Sequence, residues 1–203
     1  MNRRKNIFID FDGVISDTNT LKEKNINEAY KYIFGEYNSE FVDFFTRNNG
    51  VPREIKLKQY FDSPKVEGQI LKQYFLLNEN LLDANLASGF LDYLKINNES
   101  HIYILSGGDK NEISSFLVKN NILHFFNEIF TGPKTKSENL SGCTLSSNDI
   151  FIGDSRHDYL VAREYNLNFI FMTDFSQESQ PYSFIDNPVV ITKNFETLVN
   201  EGK

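Results

Sequence analysis

The chain has few of the residues and segments that would place it in several large protein classes. Its 203 residues include a single cysteine, Cys143, which excludes an intrachain disulfide framework. No cysteine or histidine accompanies Cys143 at metal-ligand spacing, so we interpret it as a bystander thiol. No apolar run reaches the length of a membrane span or of the apolar region of a signal peptide, and we therefore expect a cytoplasmic protein.

Basic side chains are also scarce relative to acidic ones. The sequence has 21 Lys and Arg against 28 Asp and Glu, which gives a formal net charge of −7. Nucleic acids and anionic membranes bind to basic faces, so we expect neither as a partner. The chain does have a hydrophobic fraction of 40%, with 19 Phe and 10 Tyr, which is sufficient for a substantial core.

Short apolar runs alternate with stretches of helical pattern along the chain. Four runs predict buried strands at residues 6–9, 101–105, 149–152 and 168–172, and a further strand is predicted at 189–192. Strands that alternate with helices are typical of a parallel sheet with right-handed crossovers. We therefore expect an α/β fold with a Rossmann-like, doubly wound parallel sheet.

The first two predicted strands are separated by about ninety residues, far more than one crossover helix needs. These residues have helical patterns broken by turns rich in Asn, Gly and Pro. The sequence therefore predicts an all-helical domain at 18–87, inserted into an α/β core formed by 1–17 and 88–203. The segment 86–96 is predicted to be the helix that returns the chain to the sheet.

The most informative segment is the end of the first strand, where Asp10 and Asp12 stand two residues apart and Gly13 follows. At the carboxyl end of a strand, both carboxylates can face the crevice in which open α/β sheets bind ligands. One carboxylate can attack an electrophile covalently, and the other can move protons. Carboxylate oxygens also suit Mg²⁺, which is a hard cation.

Three further polar clusters each follow an apolar run. In the first cluster, a hydroxyl and glycine N–H groups can bind phosphate oxygens. In the second cluster, either of two lysines can offset negative charge. In the third cluster, two carboxylates suit Mg²⁺. The residues concerned are Ser106, Gly107, Lys134, Lys136, Asp154 and Asp158.

In this order, the four clusters resemble the motifs of the haloacid dehalogenase superfamily of phosphohydrolases. Asp-x-Asp-Gly at 10–13 resembles the first motif, Ser106 matches the second, a lysine the third, and Gly-Asp-x-x-x-Asp at 153–158 the fourth. Phosphatase relatives often have Gly-Ser-Pro-x-x-Lys at the third motif, which favours Lys136. Here the serine is missing and a glycine directly precedes the proline, so Lys134 stays open. The helical insertion resembles the cap that many members carry between the first two motifs.

The resemblance implies a Mg²⁺-dependent phosphatase that acts on a small phosphorylated metabolite of the sugar phosphate or phosphoglycolate type. Asp10 would be the nucleophile that forms an aspartyl-phosphate, and Asp12 would be the general acid and then the general base. Ser106, Gly107 and the lysine would hold the phosphoryl oxygens. The implied Mg²⁺ ligands are Asp10, the backbone carbonyl of Asp12 and Asp154, with Asp158 either as a direct ligand or as a support behind the ligands.

Within the helical segment, Arg53 is the candidate contact to an anionic or hydroxylated substrate, because a guanidinium suits such groups. The alternative is that Arg53 begins a helix and faces solvent. Lys56 and Lys58 are predicted to be surface charges. The Phe and Tyr side chains of this segment are predicted to form its core rather than a substrate site.

Three alternative functions stay open. A phosphomutase of the β-phosphoglucomutase type would use the cap to hold a bisphosphate intermediate. A non-catalytic phospho-acceptor also combines acidic residues, a Ser or Thr and a lysine on a parallel sheet, although the large insertion argues against it. A degenerate relative would act as a binding protein, which the completeness of the site disfavours. The sequence leaves open whether the protein is a monomer or a homodimer.

Overall fold

The computed structural model describes residues 3–185 and 189–202. The other residues belong to the predicted core segments 1–17 and 88–203 and lie outside the described part. The strands are β1 (Asn6–Ile9), β2 (His101–Leu105), β3 (Glu128–Phe130), β4 (Ile150–Gly153), β5 (Asn168–Met172) and β6 (Val190–Thr192). The α-helices are α1 (Asn19–Phe34), α2 (Ser39–Arg47), α3 (Arg53–Tyr60), α4 (Pro64–Leu77), α5 (Phe90–Ile96), α6 (Lys110–Lys119), α7 (Lys136–Leu140), α8 (Arg156–Glu164) and α9 (Phe195–Asn200). Short 3₁₀ helices occur at Asn78–Asp83, Leu123–Phe125 and Pro181–Ser183. Among the described helices, none is both long enough and apolar enough to span a membrane.

The six strands form one parallel sheet in the order β3-β2-β1-β4-β5-β6. The chain therefore winds outward from β1 in one direction and from β4 in the other, which makes the sheet doubly wound. This confirms the predicted α/β fold class. The reversal between β1 and β4 also leaves a crevice at the carboxyl ends of these two strands, where ligands bind in open α/β sheets.

Alternate side chains of the buried strands pack on opposite faces of the sheet. In β1, Ile7 and Ile9 belong to one apolar cluster, whereas Phe8 belongs to the other. The first face packs against α5, α6 and α9, and the second against α7 and α8. Burial on both faces explains why these strands show continuous apolar runs in the sequence instead of polar alternation.

Helices α1 to α4 all lie between β1 and β2 and share an apolar cluster of their own. Its buried members are Ile26, Ala29, Phe41, Phe45, Leu57, Ile70 and Tyr74. The two connections to the sheet run side by side, because Asp17 N–H donates to the Asn85 carbonyl at 3.0 Å and Ala87 N–H to the Ile15 carbonyl at 2.9 Å. The division into a core at 1–17 and 88–203 and a helical domain at 18–87 stays a prediction.

The helix predicted at 86–96 is shorter in the structure and begins only at Phe90. Leu86 forms an extended bridge with Ser16, so the chain is not helical there. Gly89 has a φ of +76°, in the left-handed region, which separates this extended segment from the helix. The sequence pattern alone did not distinguish the apolar residues of the bridge from those of the helix.

Candidate active site

The crevice between β1 and β4 brings two aspartates together. Asp10 follows β1 and Asp154 follows β4, and the Asp10 N–H donates to the carbonyl of Ile152 at 2.9 Å. Gly13, with a φ of +77°, turns the chain past this point. A Cβ atom on Gly13 would lie 2.1 Å from Oδ2 of Asp154, so only glycine fits beside that carboxylate.

Three buried carboxylates, those of Asp10, Asp154 and Asp158, form the charged centre of the site. One oxygen of each lies within 4.8 Å of the other two. Burial, with repulsion from Asp158 and Asp12, raises the pKa of Asp10 to about 7 despite the nearby charge of Lys136. Burial and the charges of Asp10 and Asp158 raise the pKa of Asp154 well above its usual range. A further cation at this cluster would relieve the repulsion.

Lys136 is the counter-charge of the cluster. Its side chain is fully buried, and Nζ lies 2.7 Å from Oδ2 of Asp10 and donates to Oδ1 of Asp158. Burial lowers the pKa of Lys136, but the two carboxylates outweigh burial and raise it above its usual range. The lysine is therefore a permanent cation against the predicted nucleophile.

The local sequence fixes which lysine faces the site. Thr135 caps α7, because its hydroxyl accepts from the Glu138 N–H at 3.1 Å and Glu138 accepts from the Thr135 N–H at 2.6 Å. This capping box starts the helix at Lys136, whose side chain is fully buried. Lys134 precedes Thr135 and is exposed, whereas Lys136 is fully buried against Asp10.

Asp158 is held from its own helix as well as by Lys136. The hydroxyl of Ser155 donates to Oδ2 of Asp158 at 2.6 Å, and the Ser155 N–H donates to the same oxygen at 3.2 Å. Ser155 in turn caps α8 by accepting from the Asp158 N–H at 3.2 Å. These bonds orient the carboxylate towards Lys136, so Asp158 supports the lysine that contacts Asp10.

The segment after β2 lines the opposite side of the crevice. Ser106 is buried, and its Oγ accepts a hydrogen bond from the Gly108 N–H at 3.0 Å. Both residues line the same cavity as Asp10. Gly107 lies against the helical segment, because a Cβ atom there would come 2.5 Å from the carbonyl oxygen of Gly50. Glycine at 107 therefore allows the loop between α2 and α3 to close over the sheet.

Asp12 lines this cavity but has different partners from Asp10. Its Oδ1 accepts from Oγ1 of Thr18 and lies near Nζ of Lys22, each at 2.5 Å. Burial raises the pKa of the Asp12 carboxyl, but Lys22 and Thr18 outweigh burial and bring it below its usual range. Two carboxylates of one site thus hold their protons with different strengths, which is typical of groups that divide acid and base roles.

The cavity itself has a volume of about 50 Å³ and lies between the sheet and the helical segment. Residues from both sides line it: from the sheet side Asp10, Asp12, Ser106, Gly107, Gly108 and Asp154, and from the helical side Asn19, Lys22, Glu23, Phe45, Thr46, Asn49, Gly50, Val51, Arg53, Lys56 and Tyr74. The basic side chains of Lys22, Arg53 and Lys56 therefore line the same small cavity as four carboxylates, three of them on the sheet side.

Arg53 does not face solvent but lines the cavity, where an ion pair holds it. It is 5% exposed, and its guanidinium forms a bidentate ion pair with Glu112 of α6, at 2.8 and 2.6 Å. The guanidinium also lies over the rings of Tyr74 and Phe75. Arg53 thus joins the helical segment to the sheet side at the wall of the cavity.

The prediction that Lys56 is a surface charge was wrong, whereas Lys58 is exposed as expected. Lys56 is 5% exposed, and its Nζ donates to the carbonyl of Phe45 at 3.1 Å. Helical periodicity explains the burial, because Lys56 lies one turn after Arg53 on α3 and shares its inward face.

Sequence reasoning missed several residues that orient the site. The amide of Asn19 donates to Oδ2 of Asp154 at 3.0 Å. Lys22 follows Thr18 by four positions, so both lie on one face of α1 and reach Asp12. This spacing was the signal available in the sequence. Glu112 offered no local signal, since its partner Arg53 is 59 positions away.

The sequence model of a family described as haloacid dehalogenase-like hydrolase matches residues 7–172 of the chain. This span includes all of β1 except its first residue, the whole of β2 to β5, and all the acidic, hydroxyl and lysine residues described above. No curated protein sequence gives a match.

Solved structures resemble nearly the whole chain at low sequence identity. A haloacid dehalogenase-like family hydrolase from Streptococcus pneumoniae is 21% identical, with a TM-score of 0.73 and 98% of each chain covered. A predicted phosphatase from Clostridium acetobutylicum is 15% identical, with a TM-score of 0.77 and 98% of each chain covered. A predicted phosphoglycolate phosphatase from Haemophilus somnus is 16% identical, with a TM-score of 0.76 and 100% of each chain covered. At these identities the likeness shows the fold.

Proposed function

Because the chain belongs to the haloacid dehalogenase-like hydrolases, we propose that it is a Mg²⁺-dependent phosphatase of a small phosphorylated metabolite. The observation that carries this proposal is the contact of Lys136 with Asp10, at 2.7 Å, inside a cluster of three buried carboxylates. Asp12 and Ser106 face the same cavity. This is the set of groups that transfer of a phosphoryl group to a carboxylate requires.

The buried carboxylates fit a divalent cation. They supply hard oxygen donors within 4.8 Å of one another, and the raised pKa values of Asp10 and Asp154 show that Lys136 alone does not offset their charge. Asp10, Asp154 and the backbone carbonyl of Asp12 would hold Mg²⁺, with Asp158 behind them. Bound Mg²⁺ would neutralise charge on the phosphoryl oxygens and favour the ionised form of Asp10.

In the first step, the Asp10 carboxylate attacks phosphorus, the bond from phosphorus to the ester oxygen breaks, and this oxygen takes a proton from Asp12. Ser106 and Lys136 hold the phosphoryl oxygens, since Lys136 already lies within hydrogen-bond distance of Asp10. Protonation of Asp12 requires that Lys22, which favours its ionised form, release the carboxylate.

In the second step, water attacks the phosphorus of the aspartyl-phosphate, and Asp12 takes the proton of that water. Phosphate leaves, and the carboxylate of Asp10 is regenerated. Thr18 and Lys22 favour the ionised Asp12 that this step needs. One residue therefore gives a proton in the first step and takes one in the second.

We assign the helical segment 18–87 as a cap that closes over the crevice. Arg53 pairs with Glu112 across the junction, and Gln177 accepts from Asn49 at 2.7 Å and donates to Glu23 at 2.9 Å. The cavity of about 50 Å³ holds few groups of water size, since one water needs about 10–15 Å³. A phosphomonoester therefore enters when the cap moves away and is enclosed when it returns.

The proposed activity is tested by phosphate release from a panel of phosphorylated metabolites in Mg²⁺. We expect turnover of at least one ester, a fall of about 100-fold or more in excess chelator, and recovery when Mg²⁺ is restored. Ca²⁺ is expected to substitute poorly because its larger, looser shell spoils the in-line geometry.

Each other outcome of this experiment identifies an alternative. Full activity in excess chelator would contradict the metal role. An isomeric phosphate formed without phosphate release would identify a phosphomutase. Intact metal binding with no turnover of any ester would favour a non-catalytic phospho-acceptor or binding protein.

We expect Asp12→Asn to lower kcat by about 10²–10⁴-fold, because an amide neither gives nor takes the required proton. With an aryl phosphate, whose leaving group needs no acid, the second step should be the slower one. Rapid-quench measurement should then show a burst of aryl alcohol followed by slow turnover. Asp17→Asn is the matched control, since Asp17 follows the same strand but does not line the cavity. If Asp12→Asn and Asp17→Asn showed the same burst and the same slow phase, Asp12 would have no role in the second step.

We further propose that the protein acts in the cytoplasm as a monomer or a homodimer, with neither nucleic acid nor membrane as its partner. The acidic composition, with a net charge of −7, supports the exclusion of these polyanionic partners. The sugar phosphate and phosphoglycolate types of substrate both agree with the residues that hold the phosphoryl group.

A further inference from the structure

Lys56 is a buried cation that the proposed chemistry does not use. It lies on α3 in the wall of the cavity, and its ammonium donates to the Phe45 carbonyl at 3.1 Å and lies 3.6 Å from the centroid of the Phe45 ring. In the described part of the chain, no carboxylate forms an ion pair with it. The carbonyl satisfies one of its three N–H donors.

The other two cations of the cavity differ from Lys56 because each has a carboxylate partner. Lys22 lies 2.5 Å from Asp12, and Arg53 binds Glu112 through both of its terminal nitrogens. A buried ammonium without such a partner is destabilising. Burial and the charges of Lys22 and Arg53 accordingly lower the pKa of Lys56 to about 7. An anion brought into the cavity would remove this imbalance.

The position of Lys56 shows which part of a substrate would meet it. In the proposed mechanism the phosphoryl group lies on the sheet side, with Asp10, Ser106 and Lys136. The leaving group must extend from there past Asp12, which protonates its oxygen, towards the helical side of the cavity. Lys56 belongs to that helical side. It therefore faces the alcohol portion of the ester rather than the phosphoryl group.

On the basis of the proposed phosphatase function, we propose that Lys56 binds an anionic group on the leaving portion of the substrate. The substrate class is then a phosphomonoester whose alcohol carries a carboxylate or a second phosphate, in preference to a neutral sugar phosphate. The small cavity favours a short alcohol. The bound anion supplies the ion-pair partner that Lys56 lacks among the described residues.

The test compares three phosphomonoesters of two-carbon alcohols: 2-phosphoglycolate, ethane-1,2-diol bisphosphate and 2-hydroxyethyl phosphate, whose alcohol portion is neutral. The wild type should favour one of the anionic esters, and which one it favours distinguishes a carboxylate from a phosphate site. Lys56→Met should lower the ratio of kcat/KM for that ester to kcat/KM for the neutral ester by about 10- to 100-fold. Lys56→Gln, which keeps polarity without charge, should behave similarly. Lys58→Met, on the exposed side of the same helix, is the matched control and should keep the wild-type ratio.

Failure of this inference is distinguishable from failure of the proposed function. Turnover of an aryl phosphate by a wild type that does not prefer the anionic esters would overturn the role of Lys56 alone. A ratio that Lys56→Met and Lys56→Gln leave unchanged would overturn it as well. No turnover of any ester, aryl phosphate included, would overturn both the phosphatase and the anion site that rests on it.

Discussion

Replacement of Asp10 by asparagine is expected to lower kcat by about 10⁴-fold or more and to leave the fold intact. The amide cannot form the aspartyl-phosphate, and no neighbouring carboxylate takes its place, because Asp154 and Asp158 are held by Asn19 and by Lys136. The fraction of native protein is measured by circular dichroism, and the rate by phosphate release.

The buried charge of Asp10 also affects the stability of the fold. The folded-state pKa of Asp10 is about 7, above its usual value of 3.8, so the ionised carboxylate destabilises the metal-free fold as the pH rises through that window. Asp10→Asn removes this charge and should be at least as stable as the wild type at neutral pH. Asp17→Asn serves again as the control and should retain the wild-type rate. A near wild-type rate in Asp10→Asn would remove Asp10 as the nucleophile.

Lys56→Met should stabilise the metal-free protein, on the order of 3 kcal/mol at pH 7. The folded-state pKa of about 7, against a usual value of 10.5, corresponds to a penalty on the order of 5 kcal/mol at acidic pH. Loss of the hydrogen bond to Phe45 offsets about 1–2 kcal/mol of the gain. The free energy of unfolding is measured by urea titration of both proteins.

The pH dependence identifies the charge as the cause of this stabilisation. Between pH 7 and pH 10.5 the unfolded chain holds the Lys56 proton and the folded chain does not, so the wild type gains stability as the pH rises. The difference between Lys56→Met and the wild type should therefore be largest below pH 7 and shrink towards pH 10. Lys58→Met should show no such trend. A difference that is constant with pH would assign the effect to packing rather than to the buried ammonium.

If Lys56→Met is more stable than the wild type and also less selective for anionic esters, the burial of Lys56 and its proposed binding role have one explanation. Groups that are unfavourable in the folded protein are often retained at sites of function, where a ligand compensates for them. Stabilisation without a change in selectivity would leave the buried charge unexplained. The two measurements on the same variant thus separate a binding role from a purely structural one.

Most of the sheet was predictable because its strands are buried on both faces. The bounds predicted for β1, β2 and β5 agree with the structure, since continuous apolar runs of three or four residues mark such strands. The prediction for β4 was one residue early. Asp149 is buried ahead of that strand and accepts from the Asn6 N–H and the Ser146 N–H, both at 2.9 Å, instead of belonging to it.

The sheet side of the candidate site was predictable for a related reason. A parallel sheet brings the carboxyl ends of its strands to one edge, so residues that follow β1, β2 and β4 meet without any knowledge of the loops. The start of α7 was also encoded locally. Thr135 and Glu138 have the spacing of a capping box, which predicts a helix that begins at Lys136.

The helical side of the site could not be predicted to the same extent. The pairing of Arg53 with Glu112 of α6 spans 59 positions, and the ammonium of Lys56 lies against Phe45 of α2; neither partner can be identified from the sequence around α3. A charged residue in an amphipathic helix is usually exposed, so the default prediction placed Lys56 on the surface. In the proposed function this helical side contacts the leaving group, so the sequence left the choice of substrate open.

Trapping of the covalent intermediate tests the central claim most directly. The wild type is mixed with a good substrate and Mg²⁺, quenched in acid within a single turnover, digested, and examined by mass spectrometry. A phosphoryl group on the peptide that contains Asp10, absent in Asp10→Asn and longer-lived in Asp12→Asn, is the predicted result. Rapid phosphate release with no phosphorylated peptide at any quench time, or a phosphoryl group on another residue, would contradict the mechanism.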